Sequence, residues 1–116
     1  MIIQRHSETE KDIKQLSKKF KAPSESLCAW EKLFCVKGLN QTPAIERCNG
    51  YGNHQIYKGR VIPLEENCGK SQGYRVVFKI EGDRCIIIFF SRHGIYKTEQ
   101  ELINTVRYRL NNLTVV

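Results

Sequence analysis

The spacing of apolar positions changes along the chain. From Glu8 to Lys21, Ile13, Leu16 and Phe20 recur at helical intervals. Ser7-Glu8-Thr9-Glu10 in front of them matches the Ser-x-x-Glu capping box, in which a hydroxyl and a carboxylate satisfy the orphan N–H groups of a helix start. This predicts a helix over about residues 8–21. After Pro23, Ser24 to Lys37 carries Leu27, Trp30, Leu33, Phe34 and Val36 on one broad stripe and closes at Gly38, a usual residue at a helix C-terminus. Trp30 lies inside the stripe and is read as core rather than as a stacking platform. The two helices form a helical hairpin. Met1 to Arg5 reads as a short strand. Leu39 to Asn53 reads as a loop with one helical turn at Pro43 to Arg47 and a tight turn at Asn49-Gly50.

The period then shortens to two. His54 to Leu64 predicts a strand with Ile56, Lys58, Arg60 and Ile62 on one face, so that Lys58 and Arg60 project side by side about 7 Å apart. Pro63 confines it to an edge or ends it, and Glu65 to Gly73 is a polar loop. Tyr74, Val76, Phe78 and Ile80 then alternate with Arg75, Val77 and Lys79. Glu81-Gly82-Asp83 signals a hairpin into a strand from Arg84 to Arg92, which pairs antiparallel with its predecessor. The unbroken apolar run Cys85 to Phe90 marks a central strand covered on both faces. Thr98-Glu99-Gln100-Glu101 is a second capping box, opening a helix to about Asn111. The expected fold is α+β: an N-terminal helical hairpin, a small mostly antiparallel sheet of three to four strands and a C-terminal helix. The helices pack on one side of the sheet.

With 116 residues the chain is expected to form a single domain, 1–116. Its net charge of +7 makes a polyanion, nucleic acid first, the expected partner. Five cysteines without a Cys-x-x-Cys pair or a zinc-type spacing read as reduced thiols, and no metal or cofactor is expected. No signal peptide is visible, and the longest apolar run is far short of the roughly 20 residues of a membrane helix. The expectation is a cytoplasmic protein without a membrane partner.

Charged residues set into strands narrow the chemistry. The sheet side away from the helices is expected to gather Lys58, Arg60, Arg75 and Arg92. Such a cluster of like charges costs stability unless an anion compensates it, and it suits a phosphate. Cleaving RNA with its own 2′-hydroxyl needs a base, positive charge over the phosphorane and an acid for the leaving 5′-oxygen. Arg60, Arg75 and Arg92 suit the charge-stabilising role. Lys58, its pKa lowered by cationic neighbours, is the candidate base, and His93 or His54 the candidate acid. Tyr96 or Tyr57 can stack on a base, and Lys70, Lys79 and Lys97 are further candidate RNA contacts.

The residues that carry this chemistry also carry a resemblance. Tyr57-Lys58-Gly59-Arg60, then Gly69-Lys70-Ser71-Gln72-Gly73-Tyr74-Arg75-Val76-Val77-Phe78, then Gly82-Asp83 and an apolar run ending Ser91-Arg92-His93, together resemble the RelE/ParE/HigB toxins of bacterial type II toxin-antitoxin systems. The likeness spans roughly residues 8–110. It implies an endoribonuclease that cleaves mRNA, commonly on the ribosome, and thereby inhibits translation, with an antitoxin that wraps the toxin. By this resemblance Lys58 matches the first lysine of the family's strand motif and Arg75 the arginine of its Gly-Tyr-Arg strand. Arg60 stands where the family has a second lysine. Arg92, with Lys97 as rival, matches its second arginine, and Tyr96 its late tyrosine. A ParE-like inhibitor of DNA gyrase and a non-catalytic RNA-binding module are the alternatives.

Overall fold

The computed structural model describes residues 1–66, 73–92 and 94–115. In chain order the elements are β1 (Ile2–Arg5), α1 (Thr9–Ser17), α2 (Pro23–Gln41), β2 (Ile45–Cys48), β3 (Gln55–Val61), β4 (Tyr74–Glu81), β5 (Arg84–Arg92) and α3 (Glu99–Asn111). The strands form one sheet in the order β1-β5-β4-β3-β2. All neighbours are antiparallel except β1, which runs parallel to β5. No helix among the described residues is long and apolar enough to cross a membrane.

The class is α+β, and several details depart from the expectation. The sheet has five strands rather than three or four; the short strand expected at Met1 to Arg5 is β1, and because it joins the sheet, α1 and α2 lie between two strands instead of forming an N-terminal hairpin. The helical turn expected around Pro43 to Arg47 is strand β2, whose residues find partners from Ile56 to Gly59. The Ser7–Glu10 capping box does not form. The N-cap is Glu8, without a side-chain cap hydrogen bond, and the Ser7 N–H that the Glu10 carboxylate would take in such a box donates to the Thr114 carbonyl at 2.7 Å. The second box does form, with Thr98 Oγ1 accepting from the Glu101 N–H at 3.1 Å. Helix α2 runs three residues past the expected closure, broken at Gly38, where the Thr42 hydroxyl donates to the Gly38 carbonyl at 2.6 Å.

Both faces of the sheet are covered, not one. Ile13 and Leu16 of α1 and Leu27, Trp30 and Phe34 of α2 pack on Val61, Tyr74, Val76, Phe78, Cys85, Ile87 and Phe90. Leu102 and Val106 of α3 pack on the opposite face, against Ile56, Val77, Ile86 and Ile88. Trp30 is core as expected, 5% exposed, and it stacks on Phe34 with ring centres 5.0 Å apart and tilts on Phe78 at 5.3 Å. Such aromatic pairs add about 0.5–1.5 kcal/mol each beyond the area they bury.

One irregularity reorganises β5. Val77 pairs with Phe89 but Phe78 pairs with Ile87, so Ile88 is an extra residue, a β-bulge. Before it Cys85 and Ile87 face α1 and α2; after it Phe90 does. Here β1 has ended, its last ladder partner being Ile87, and the outer edge of β5 lacks a strand. A buried ion pair takes its place. Asp12 Oδ2 accepts the Phe90 N–H at 3.1 Å, and Arg109 Nη1 donates to the Ile88 carbonyl at 3.0 Å. The two side chains meet in a bidentate fork at 2.6 and 2.8 Å. Burial pushes the Asp12 carboxyl up, against the pull of the Arg109 guanidinium and the Phe90 N–H.

Removing one partner strands a buried charge together with a strand-edge backbone group. Asp12→Leu or Arg109→Leu alone is expected to cost about 3–5 kcal/mol in urea unfolding, and the double replacement distinctly less than the sum. The thiols give a second check. Cys35 is exposed, whereas Cys85 is buried and burial pushes its thiol up to about 12. A maleimide should label Cys35 in the native protein and Cys85 only after unfolding.

Candidate functional site

The chemistry predicted from sequence converges where α3 stops covering the sheet. On β3 and β4 the register places Lys58 opposite Val77 and Arg60 directly opposite Arg75. A pocket of about 400 Å³ opens over these residues, lined by Ala44, Ile45 and Glu46 from the start of β2, Lys58 and Arg60 from β3, Arg75 from β4, Tyr96, and Glu99 from the first turn of α3.

Two glycines make this geometry possible. Gly59 separates Lys58 from Arg60, and a Cβ there would lie 3.3 Å from both Trp30 Cζ2 and Val76 Cγ1, so its absence lets the indole seat on the back of the strand. Gly73 precedes the Tyr74-Arg75 pair, and a Cβ there would collide with the Val61 carbonyl oxygen. Ala44 at the pocket wall adopts a left-handed φ of 59°, a conformation that costs an alanine about 1–2 kcal/mol and recurs at ligand sites. Its carbonyl accepts the Arg60 N–H at 3.2 Å, which ties the start of β2 to β3 at this point.

The charge distribution differs from the expected cluster of cations. Lys58 Nζ sits 3.6 Å from Glu46 Oε1 and 3.6 Å from Glu99 Oε2. Two carboxylates therefore lie within ion-pair reach of Lys58, beside the arginines that share its pocket, where the expectation had cations alone. Arg60 is exposed and has no carboxylate within ion-pair reach among the described residues. Arg75 is half-buried and lies along its own strand, Nη1 donating to the Gly73 carbonyl at 3.0 Å. Like charges directly opposite on an antiparallel pair repel, and Arg60 stands directly opposite Arg75. Tyr96 is buried; burial, and secondarily Glu99, push its phenol up, opposed by Lys58 and Arg75. At neutral pH it is a hydrogen-bond donor at the pocket wall.

Arg92 does not join this group. The bulge at Ile88 reverses the alternation of β5, so Arg92 pairs with Tyr74 on the α1 side of the sheet. There it forms a fork with Glu66 at 2.6 and 2.8 Å and lies over the Phe20 ring, 4.2 Å from its centre. The Arg92 guanidinium holds the Glu66 carboxyl below the usual carboxylate range. Tyr57 is on the same face as Arg92, stacked on Phe78 at 5.7 Å, and is not beside Lys58. Lys79 is paired with Glu81 at 2.8 Å. His54 lies beyond the far end of β3 from Arg60, beside Arg107 and Leu110 of α3. Lys97 is exposed next to Tyr96 but does not line the pocket. His93 and Lys70 lie outside the described residues.

Of the candidates, Lys58, Arg60, Arg75 and Tyr96 therefore share one pocket. Sequence reasoning missed Glu46 and Glu99. Glu99 stands inside a capping box and reads only as a helix start; Glu46 falls in the loop from Leu39 to Asn53, within the helical turn expected at Pro43 to Arg47, which assigns it to no sheet face. Among the described residues no group of three His, Cys, Asp or Glu side chains is placed to hold a metal ion.

Replacing Arg60 removes the facing charge. Arg60→Gln is expected to gain about 0.2–1 kcal/mol of stability in dilute buffer and to lose most of the extra stability that inorganic phosphate gives the parent chain. Urea unfolding of both proteins with and without phosphate checks it. Compared with protein-family models, with curated proteins and with solved structures, the chain matches none.

Proposed function

We propose that the chain is an endoribonuclease, the toxin component of a type II toxin-antitoxin pair, and that the pocket at Arg60 and Arg75 is where it cleaves mRNA. The observation that carries the reading is the facing Arg60–Arg75 pair, set in one concavity with a phenol and two carboxylates. Two guanidinium forks match the oxygens of one phosphodiester and would stabilise the charge that gathers on it as the phosphorane forms.

The remaining groups supply the proton transfers. A 2′-hydroxyl loses its proton to one of the carboxylates that flank Lys58, and its oxygen attacks the adjacent phosphorus. The bond to the 5′-oxygen breaks, leaving a 2′,3′-cyclic phosphate, and the 5′-oxygen takes a proton from the Tyr96 phenol. Lys58 orients Glu46 and Glu99 through the contacts at 3.6 Å and adds its charge to the site. The base role expected of Lys58 thus passes to a neighbouring carboxylate, and the acid role expected of His93 or His54 to Tyr96. The resemblance to RelE/ParE/HigB toxins supports translating ribosomes as the setting and a cognate antitoxin as the partner. The ParE-like alternative gives the pocket groups no task.

RNA cleavage by the purified chain, alone and with translating ribosomes, tests this. Arg75→Ala is expected to lose about 100–1,000-fold in rate, and Glu46→Gln or Glu99→Gln, whichever is the base, about 100–10,000-fold. Cleavage at the parent rate by all three variants would remove the pocket from the reaction. Gyrase inhibition with RNA left intact would favour the ParE-like reading instead.

A further inference from the structure

The pocket uses one face of the sheet, while a dense run of positive charge lies on the other. From Ile13 to Ser24 the chain has four lysines and no acidic residue. Helix α1 turns Ile13 and Leu16 into the core, and Lys11, Lys14 and Lys18, spaced three and four apart, occupy its outer side and are exposed. Lys19 and Lys21 continue the run on the turn that leaves the helix, where the N–H groups of Lys18, Lys19 and Phe20 still bond back to Gln15 and Leu16. Lys11 is paired with Glu8 at 3.3 Å. Among the described residues Lys14, Lys18, Lys19 and Lys21 have no carboxylate within ion-pair reach. Lys21 acts on the charge of Glu66, but that carboxylate is held by Arg92.

The helix dipole favours a cation at this end. It does not call for several, and Lys14 and Lys18, four apart, repel one another. The outer side of α1 also lacks the Trp, Phe or Leu with which an interfacial helix enters a bilayer, or with which a protein interface is anchored. An extended polyanion, gripped by charge alone, fits this surface. Its end is tied to the pocket's end of the sheet: the Tyr74 hydroxyl donates to the Lys21 carbonyl at 3.0 Å, and the next residue, Arg75, lines the pocket from the opposite face.

We propose that Lys14, Lys18, Lys19 and Lys21 form a second RNA-binding surface, which holds the sugar-phosphate backbone without reading its bases while the pocket acts on another part of the RNA. This rests on the reading that the chain acts on RNA. The fourfold step from Lys14 to Lys18 rises about 6 Å along a rigid helix, the scale of successive phosphates on a strand. Lysine, a hydrated point charge, suits such sequence-blind contacts.

The test compares Lys14→Gln/Lys18→Gln with Lys32→Gln/Lys37→Gln, which removes the same charge from exposed positions on α2. The probe is a 2′-O-methylated RNA homopolymer, which cannot be cleaved by 2′-hydroxyl attack, and its affinity is followed from about 50 to 300 mM salt. The α1 variant is expected to flatten the plot of log affinity against log salt by about 1.4, two single-strand phosphate contacts, and the α2 variant by less than half of that. Equal slopes in the two variants would overturn the proposal, as would an α1 variant that loses binding to phosphatidylserine vesicles while keeping its RNA affinity. Cleavage of a dinucleotide, too short to leave the pocket, is expected to proceed at the parent rate in the α1 variant. If the parent chain cleaves no RNA at all, the pocket reading fails, and the slopes still decide the lysine surface.

Discussion

The fork between Asp12 and Arg109 is the constraint on which the rest of the molecule depends. It joins α1 on one face of the sheet to α3 on the other, around the edge of β5 that β1 leaves uncovered, and it satisfies the Phe90 N–H and the Ile88 carbonyl as a neighbouring strand would. A buried pair of this kind gains little over an apolar one in stability, since both charges are desolvated. What it adds is placement. With α3 held against β5, the first turn of α3 comes down beside β3, and Glu99 reaches Lys58 from an element far away in sequence.

The same few residues set the direction of β5. Because Ile88 is extra, Arg92 turns from the pocket face to the α1 face, where it lies over the rings of Phe20 and Tyr74 and is bonded to Glu66. The pocket keeps two arginines rather than three and gains two carboxylates. That change matters chemically. A site of cations alone binds phosphate but offers no ready base, whereas one with arginine forks, carboxylates and a neutral phenol holds an anion and can also move a proton. The extended lysine surface on α1 is of the other kind, charge without acid–base partners, and it suits holding rather than reacting.

The sequence by itself determined what depends on near neighbours. The alternation of Tyr74 to Ile80, the hairpin at Gly82, the apolar stripe of α2 with Trp30 in it, and the Thr98 cap of α3 follow from side-chain period and turn chemistry, and each is in the structure. So does the sharing of a face by Lys58 and Arg60, which strand alternation fixes. Tertiary structure decided what depends on distant partners. A four-residue strand such as β2 carries too little periodic signal to declare itself and exists because β3 offers it a ladder. A bulge leaves no mark in an apolar run, since Ile88 looks like its neighbours, yet one extra residue reverses every side chain after it, and with them the place of Arg92. Glu46 and Glu99 entered the pocket only when β2 paired and α3 docked, because a charge lying 41 residues along the chain from Lys58 can be brought beside it only by packing.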